Sequence, residues 1–173
     1  MNTAHLKTVS SDITRMHVAA IVNAANRTLL GGGGVDGAIH RAAGPGLLDE
    51  CRKLNGCDTG SAKITRGYNL PAKYVIHAVG PVWRGGNNNE RELLKGCYET
   101  ALKLAAEHNC KSIAFPNIST GIYHFPKEEA AKIAIDTVRN FLSENSLPEE
   151  VIFVCFDAEN YAIYEKMLKG LKG

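Results

Sequence analysis

Residues 21–40 read IVNAANRTLLGGGGVDGAIH, and the rest of the chain is organised around this stretch. The β-branched pair Ile21-Val22 drops into small polar residues, then into four consecutive glycines, and a helix opens at Val35-Asp36-Gly37. Without a Cβ, the backbone at residues 31–34 can take φ > 0 and pass close to a ligand, at an entropic cost that a merely structural loop would avoid. The segment reads as a ligand cradle. The helix behind it presents unpaired N–H groups and the positive end of its dipole, which together favour an anion, phosphate first.

Two familiar phosphate motifs are set aside. Gly32-x-Gly34-x-x-Gly37 formally matches the dinucleotide fingerprint, but that motif needs its glycines directly after the strand, and here residues 23–30 intervene. A P-loop ends in Gly-Lys-Ser/Thr, whereas this loop ends in Gly-Val-Asp. What remains is a glycine cradle flanked by Asn23, Asn26 and Asp36, with an unliganded strand-to-helix turn as the bland alternative. Asn23-Ala24-Ala25-Asn26, the glycine run and Val35-Asp36-Gly37-Ala38-Ile39-His40 resemble the macrodomain family, specifically its bacterial MacroD-type O-acetyl-ADP-ribose deacetylases.

Composition bounds the other possibilities. The 173 residues fit one domain, expected as a single macrodomain over 1–173, long enough to bury roughly 70% of its unfolded surface. With 45% hydrophobic and 22% charged residues, disorder and fibre are both disfavoured. A formal charge of +2 with no run of like charges leaves nucleic acid not indicated as a partner. The five cysteines are odd in number, form no CxxC pair and follow no secretory leader before Asp12, which predicts a reduced, cytoplasmic protein. No apolar stretch approaches the ~18 residues of a membrane span, so no membrane association is expected.

Along the chain, residues 6–9 read as a first strand, followed by the turn Ser10-Ser11-Asp12-Ile13-Thr14, in which Asp12 suits a turn or cap. Residues 18–23 form a second strand ending at the cradle. From Val35 to about Leu54, Ile39, Ala42, Ala43, Leu47, Leu48 and Cys51 follow helical spacing, and Gly44-Pro45-Gly46 divides the segment into two helices. His40 falls one turn after Asp36 on the same face, placed for packing or for a hydrogen bond that fixes the Asp36 rotamer. Residues 63–66 and 74–81 read as strands, with His77 a satisfied core histidine, and residues 90–108 as a helix after a polar loop at 83–89. Residues 112–116 make a short buried strand. Pro126 opens a helix through about Leu142, residues 151–156 form the last strand with Cys155 as a core filler, and residues 157–168 the last helix. Connections too long for hairpins predict an α/β protein. The expected architecture is a three-layer α/β/α macrodomain, its central sheet mixed and mostly parallel, with helices on both faces.

In such sheets ligands bind beyond the carboxyl ends of the strands, where the candidate loops converge. Ser119-Thr120-Gly121-Ile122-Tyr123 has the hydroxyls and glycine of an anion nest, or of an ordinary strand-to-helix turn. The resemblance implies that this loop grips a pyrophosphate opposite Gly33, Gly34 and Val35, with the aromatic Tyr123 on the distal ribose. It further implies that Asp12 and Ile13 lie against adenine and that Phe156 stacks on it, although an aromatic at a strand end is as often core. Ser11 departs from the glycine usual in the family before this Asp. The implied ligands are ADP-ribose and its O-acyl esters, and the implied reactions are deacetylation of O-acetyl-ADP-ribose and removal of mono-ADP-ribose from acidic side chains of proteins. For this chemistry Asp36 holds or deprotonates the attacking water, while Asn26 donates to the ribose hydroxyl and orients the ester. Helix capping by Asp36 and a strand-end turn at Asn26 are the bland alternatives. No cofactor is implied, and the histidines lack metal-ligand spacing. A non-catalytic ADP-ribose reader is the competing function.

Overall fold

The computed structural model describes residues 5–172. In chain order its elements are β1 (His5–Ser10), a 3-10 turn (Ile13–Arg15), β2 (Ala20–Ala24), α1 (Gly34–Ala43), α2 (Pro45–Lys53), β3 (Ala62–Arg66) and β4 (Tyr74–Ala78). There follow α3 (Glu90–Glu107), β5 (Ser112–Phe115), α4 (Lys127–Glu144), β6 (Glu150–Cys155) and α5 (Ala158–Lys172). The strands form one six-stranded sheet in the order β1-β6-β5-β2-β4-β3. Only β3 runs antiparallel to its neighbour, so the sheet is mixed and mostly parallel, as expected.

The apolar run of β2 follows from its central place. Ala20, Ile21 and Val22 are fully buried because helices cover both faces of the sheet. Successive side chains point to opposite sides. Ile21 joins a core with Ile39, Leu47 and Cys51 of α1 and α2, while Val22 joins one with Leu94 and Tyr98 of α3 and Ala134 of α4. Gly44 ends α1 and Pro45 opens α2 at its first position, where a missing N–H costs nothing. The expected strand over residues 74–81 stops at Ala78, and the one over 151–156 stops at Cys155.

Topology creates the crevice. The chain leaves β2 for α1 and α2, and leaves the adjacent parallel strand β5 for α4 on the other face. The two departing loops diverge and open a gap at the carboxyl ends of the strands.

Residues 83–89, expected only as a polar loop, are held by the buried Glu90. Its Oε2 accepts from Arg84 N (2.8 Å) and Gly86 N (3.0 Å), and its Oε1 from Asn88 N (2.6 Å). Trp83 N donates to Tyr123 O (2.8 Å), which pins this loop to the one after β5. Burial works against the Glu90 charge, but the backbone donors prevail and hold its carboxyl down to about 2. The folded protein therefore binds fewer protons than the unfolded chain between about 4.5 and about 2, and stability rises with pH through that window. Glu90→Gln is expected to lower the melting temperature at neutral pH, and the gap to the parent should close as pH falls toward 2. Thermal unfolding followed by circular dichroism at stepped pH checks this; a gap independent of pH would refute it.

Candidate active site

The gap is a cleft of about 380 Å³, within the size range of small-molecule sites. Ala24, Ala25 and Asn26 line it from β2, residues 32–36 from the cradle, Gly80 from β4, and residues 117–119 and 121–123 from β5. No lysine or arginine is among the lining residues. Any anion held there relies on backbone dipoles.

Two of the four glycines, Gly31 (φ +95°) and Gly34 (φ +58°), use the left-handed region; Gly32 and Gly33 do not. Gly32 is small for another reason, since a Cβ there would lie 3.1 Å from Asp36 Oδ2 and 3.4 Å from Asn26 Nδ2. Gly33 is the N-cap of α1 and offers no side chain to the first turn. Serine, threonine or aspartate there would claim N–H groups that stay unclaimed at the cleft wall.

Asp36 sits in that first turn without capping it, which removes helix capping as its explanation. It is 4% exposed, and its Oδ1 accepts from Asn23 Nδ2 at 2.8 Å. His40 Nε2 stands 3.5 Å from the same oxygen, on the face expected for it. The other oxygen lies beside Gly32, which lines the cleft with Asn26. Asn23, expected to flank the cradle, is instead fully buried behind Asp36, because strand alternation turns it toward α1.

Asn26 lines the cleft, yet its bonds are those of a turn. Its Oδ1 accepts from Thr28 N (3.1 Å), Thr28 Oγ1 (2.6 Å) and Leu29 N (3.2 Å), and its Nδ2 donates to Gly31 O (2.9 Å). An amide nitrogen carries two hydrogens, so one remains for a ligand.

Across the cleft, Ser119 adopts φ +66°, and its buried Oγ has no hydrogen-bond partner. Thr120 stands outside the lining, where Oγ1 donates to Asn117 O (3.3 Å) and accepts from Asn160 Nδ2 (3.4 Å). Gly121, Ile122 and Tyr123 complete the wall, with Ile122 exposed.

Asp12, Ile13 and Phe156 lie outside the lining residues. Ile13 is buried in the core beneath α1 and α2. Asp12 caps the 3-10 turn, its Oδ1 accepting from Thr14 Oγ1 (2.7 Å) and Thr14 N (2.9 Å). Those two bonds, with Arg15 nearby, hold its carboxyl below the usual range against a small opposing effect of burial. Phe156, one residue past β6, is 96% exposed and so is not a core residue. Ser10 pairs with Cys155, so the loops carrying Asp12 and Phe156 leave the sheet side by side.

Asn117 and Gly80 also line the cleft, beyond the residues that the sequence marks. Asn117 Oδ1 is buried without a partner, while its Nδ2 faces Cys155 Sγ at 3.6 Å. Its place just after β5, like that of Asn26 just after β2, is the signal the sequence carries for it. Gly80 falls inside the strand expected over residues 74–81, but a Cβ there would overlap Ser119 Oγ and Ile118 Cγ2, so it admits the β5 loop. All five cysteines are buried and free, with thiols pushed up chiefly by burial, and none lines the cleft.

A mixed sheet between helix layers, with an uncapped helix N-terminus and a buried carboxylate at one cleft, defines a three-layer α/β/α protein with a preformed small-molecule cleft. The chain belongs to the Macro domain family, whose model matches residues 22–134. It is 62% identical over 160 residues to a macro domain-containing protein of Chlorobaculum tepidum, covering 92% of this chain and 93% of that one. It is 55% identical over 164 residues to the O-acetyl-ADP-ribose deacetylase of Escherichia coli K12, again covering 92% and 93%. Among solved structures, the Oceanobacillus iheyensis macrodomain with ADP matches at TM-score 0.90 and 46% identity, covering 95% of this chain and 90% of that one. The Trypanosoma brucei macrodomain in complex with ADP-ribose matches at 0.89 and 45%, covering 95% and 69%. Among the described residues, no helix is long and apolar enough to cross a membrane.

Proposed function

We propose that this protein binds ADP-ribose in the cleft and hydrolyses O-acetyl-ADP-ribose to ADP-ribose and acetate. The observation that carries this is the Asp36 carboxylate, with one oxygen tied to Asn23 and the other beside Gly32 at the cleft, next to the uncapped start of α1. The name of the Escherichia coli relative and the ADP-ribose complex of the Trypanosoma brucei macrodomain support the choice of ligand.

The diphosphate lies between the first N–H groups of α1 and the loop at residues 119–123, where backbone donors take the place of basic side chains. Adenine rests on the ledge between Asp12 and Phe156, and the distal ribose faces Asn26 and Asp36. A water bound to Asp36 Oδ2 gives up a proton to the carboxylate and adds to the ester carbonyl. The tetrahedral intermediate then expels the ribose oxygen, which takes that proton back from Asp36, and the acetic acid formed leaves and ionises to acetate. Esters joining mono-ADP-ribose to acidic side chains present the same carbonyl, so they are substrates of the same centre.

Incubation with O-acetyl-ADP-ribose should release acetate in stoichiometric step with ADP-ribose. Tight ADP-ribose binding without acetate release would identify a reader instead.

A further inference from the structure

Behind Asp36, away from the cleft, a file of buried polar side chains crosses three strands. Asn23 on β2, His77 on β4 and Thr65 on β3 are 0%, 0% and 2% exposed. Asn23 Nδ2 lies 2.8 Å from Asp36 Oδ1 and 3.2 Å from His77 Nδ1. His77 Nε2 lies 3.0 Å from Thr65 Oγ1, which donates its own hydrogen to Arg66 O at 3.1 Å.

The two ends of this file dictate its direction. At one end the Arg66 carbonyl can only accept, so the Thr65 hydrogen is spent on it and Oγ1 must accept from His77 Nε2–H. The neutral imidazole then has a bare Nδ1, which accepts from Asn23. At the other end a carboxylate oxygen also only accepts, so the Asn23 NH2 group must face Asp36, and its second hydrogen points at His77. The reversed amide would set Oδ1 against the Asp36 oxygen. It would also leave the NH2 group where Asn23 Oδ1 now has no partner. His77 Nε2 also lies 3.7 Å from Cys51 Sγ, a weak acceptor that can share the same N–H, so the contacts of the file agree with one tautomer and one amide orientation. Burial, then the neighbouring His40, depresses the His77 pKa to about 3, so the imidazole stays neutral at working pH.

We propose that Thr65 and His77 are positioning residues that, through Asn23, hold Asp36 Oδ1 and thereby keep Oδ2 turned to the cleft. His40 Nε2, at 3.5 Å, is too far to do this by a good hydrogen bond. If the file loosens, the Asn23 amide can rotate and the carboxylate with it, which moves the oxygen that holds water while the diphosphate and adenine contacts stay intact. This rests on the catalytic reading of Asp36 given above.

The test compares Thr65→Val, Thr65→Ser and Asp36→Ala, measuring acetate release from O-acetyl-ADP-ribose and ADP-ribose affinity by calorimetry. Valine keeps the shape of Thr65 and removes its acceptor, whereas serine restores it. Thr65→Val should lower kcat on the order of tenfold, the scale of a misplaced catalytic group, with ADP-ribose Kd unchanged. Thr65→Ser should match the parent. A full kcat in Thr65→Val beside an inactive Asp36→Ala overturns this inference and leaves the catalytic reading standing. A native rate in Asp36→Ala overturns the reading itself. Equal damage in the valine and serine variants, or a joint loss of kcat and affinity, marks a structural role and also overturns the inference. Should Thr65→Val fail to fold, long-range proton–nitrogen NMR on the unmodified protein decides. The His77 proton is expected on Nε2 at neutral pH, and a proton on Nδ1 would overturn the scheme.

Discussion

Asp36→Ala is expected to slow hydrolysis of O-acetyl-ADP-ribose by about 10²–10⁴-fold while ADP-ribose affinity shifts little, because a positioned general base contributes about that much in rate. The separation of the two effects follows from where the residue sits. Its carboxylate does not cap α1, and the backbone N–H groups of the first turn, which the proposed function assigns to the diphosphate, remain when the side chain is cut back. Alanine suits the helix. The change does strand one buried Asn23 N–H, which costs about 1–3 kcal/mol of stability, so the assay belongs well below the melting temperature. Steady-state acetate release paired with calorimetry reads both quantities. A native rate with native affinity would mean that the carboxylate holds no water and that another group, such as the diphosphate of the substrate, does.

Gly37→Ala should weaken ADP-ribose binding by roughly 10–100-fold, the loss that goes with breaking one hydrogen bond to a charged group. In an ordinary helix interior this exchange stabilises by about 1 kcal/mol. Here the sign reverses, because the added Cβ would stand 2.6 Å from Gly32 O and 3.0 Å from Arg41 Nη1. The arginine end can swing aside. The carbonyl belongs to the cradle backbone and can move only by displacing the turn at residues 31–34, which carries the N-cap of α1 with it. Overpacking of this kind costs about 1–3 kcal/mol in stability. Calorimetry with ADP-ribose and a thermal melt check both effects, and a higher melting temperature with unchanged affinity would show that the cradle does not need this close approach.

The legible features share a physical origin: they depend on residues near one another in the chain. Gly44-Pro45 ends one helix and starts the next through backbone conformation and a missing N–H, so the α1–α2 break is visible locally. The uncapped start of α1 is likewise written in Gly33, a residue with no side chain to offer. The family resemblance drew on the same compact stretch. Strand ends were less legible. Phe156 continues the apolar run of β6 but projects into solvent, because β1, the partner of β6, ends its register at Ser10 opposite Cys155.

By itself, then, the sequence determined the order and type of the elements, the mostly parallel sheet, the glycine turn and the place of His40 one turn beyond Asp36 on the same helix face. Hydrophobic periodicity, chain breakers and helical spacing act over a few residues and need no knowledge of the fold. Only the tertiary structure decided which way β3 runs, that Asn26 shapes its turn, that Gly80 makes room for Ser119, and that Asn23 lies behind Asp36 and not in the cleft. His77 could be read from its neighbours as a core histidine, but not what satisfies it. Its partner Asn23 is 54 residues away in the chain, and Thr65 is 12 residues away on a strand of opposite direction. Parallel strands brought together by long crossovers set such neighbours through the register of the whole sheet, a property that no local stretch of sequence carries.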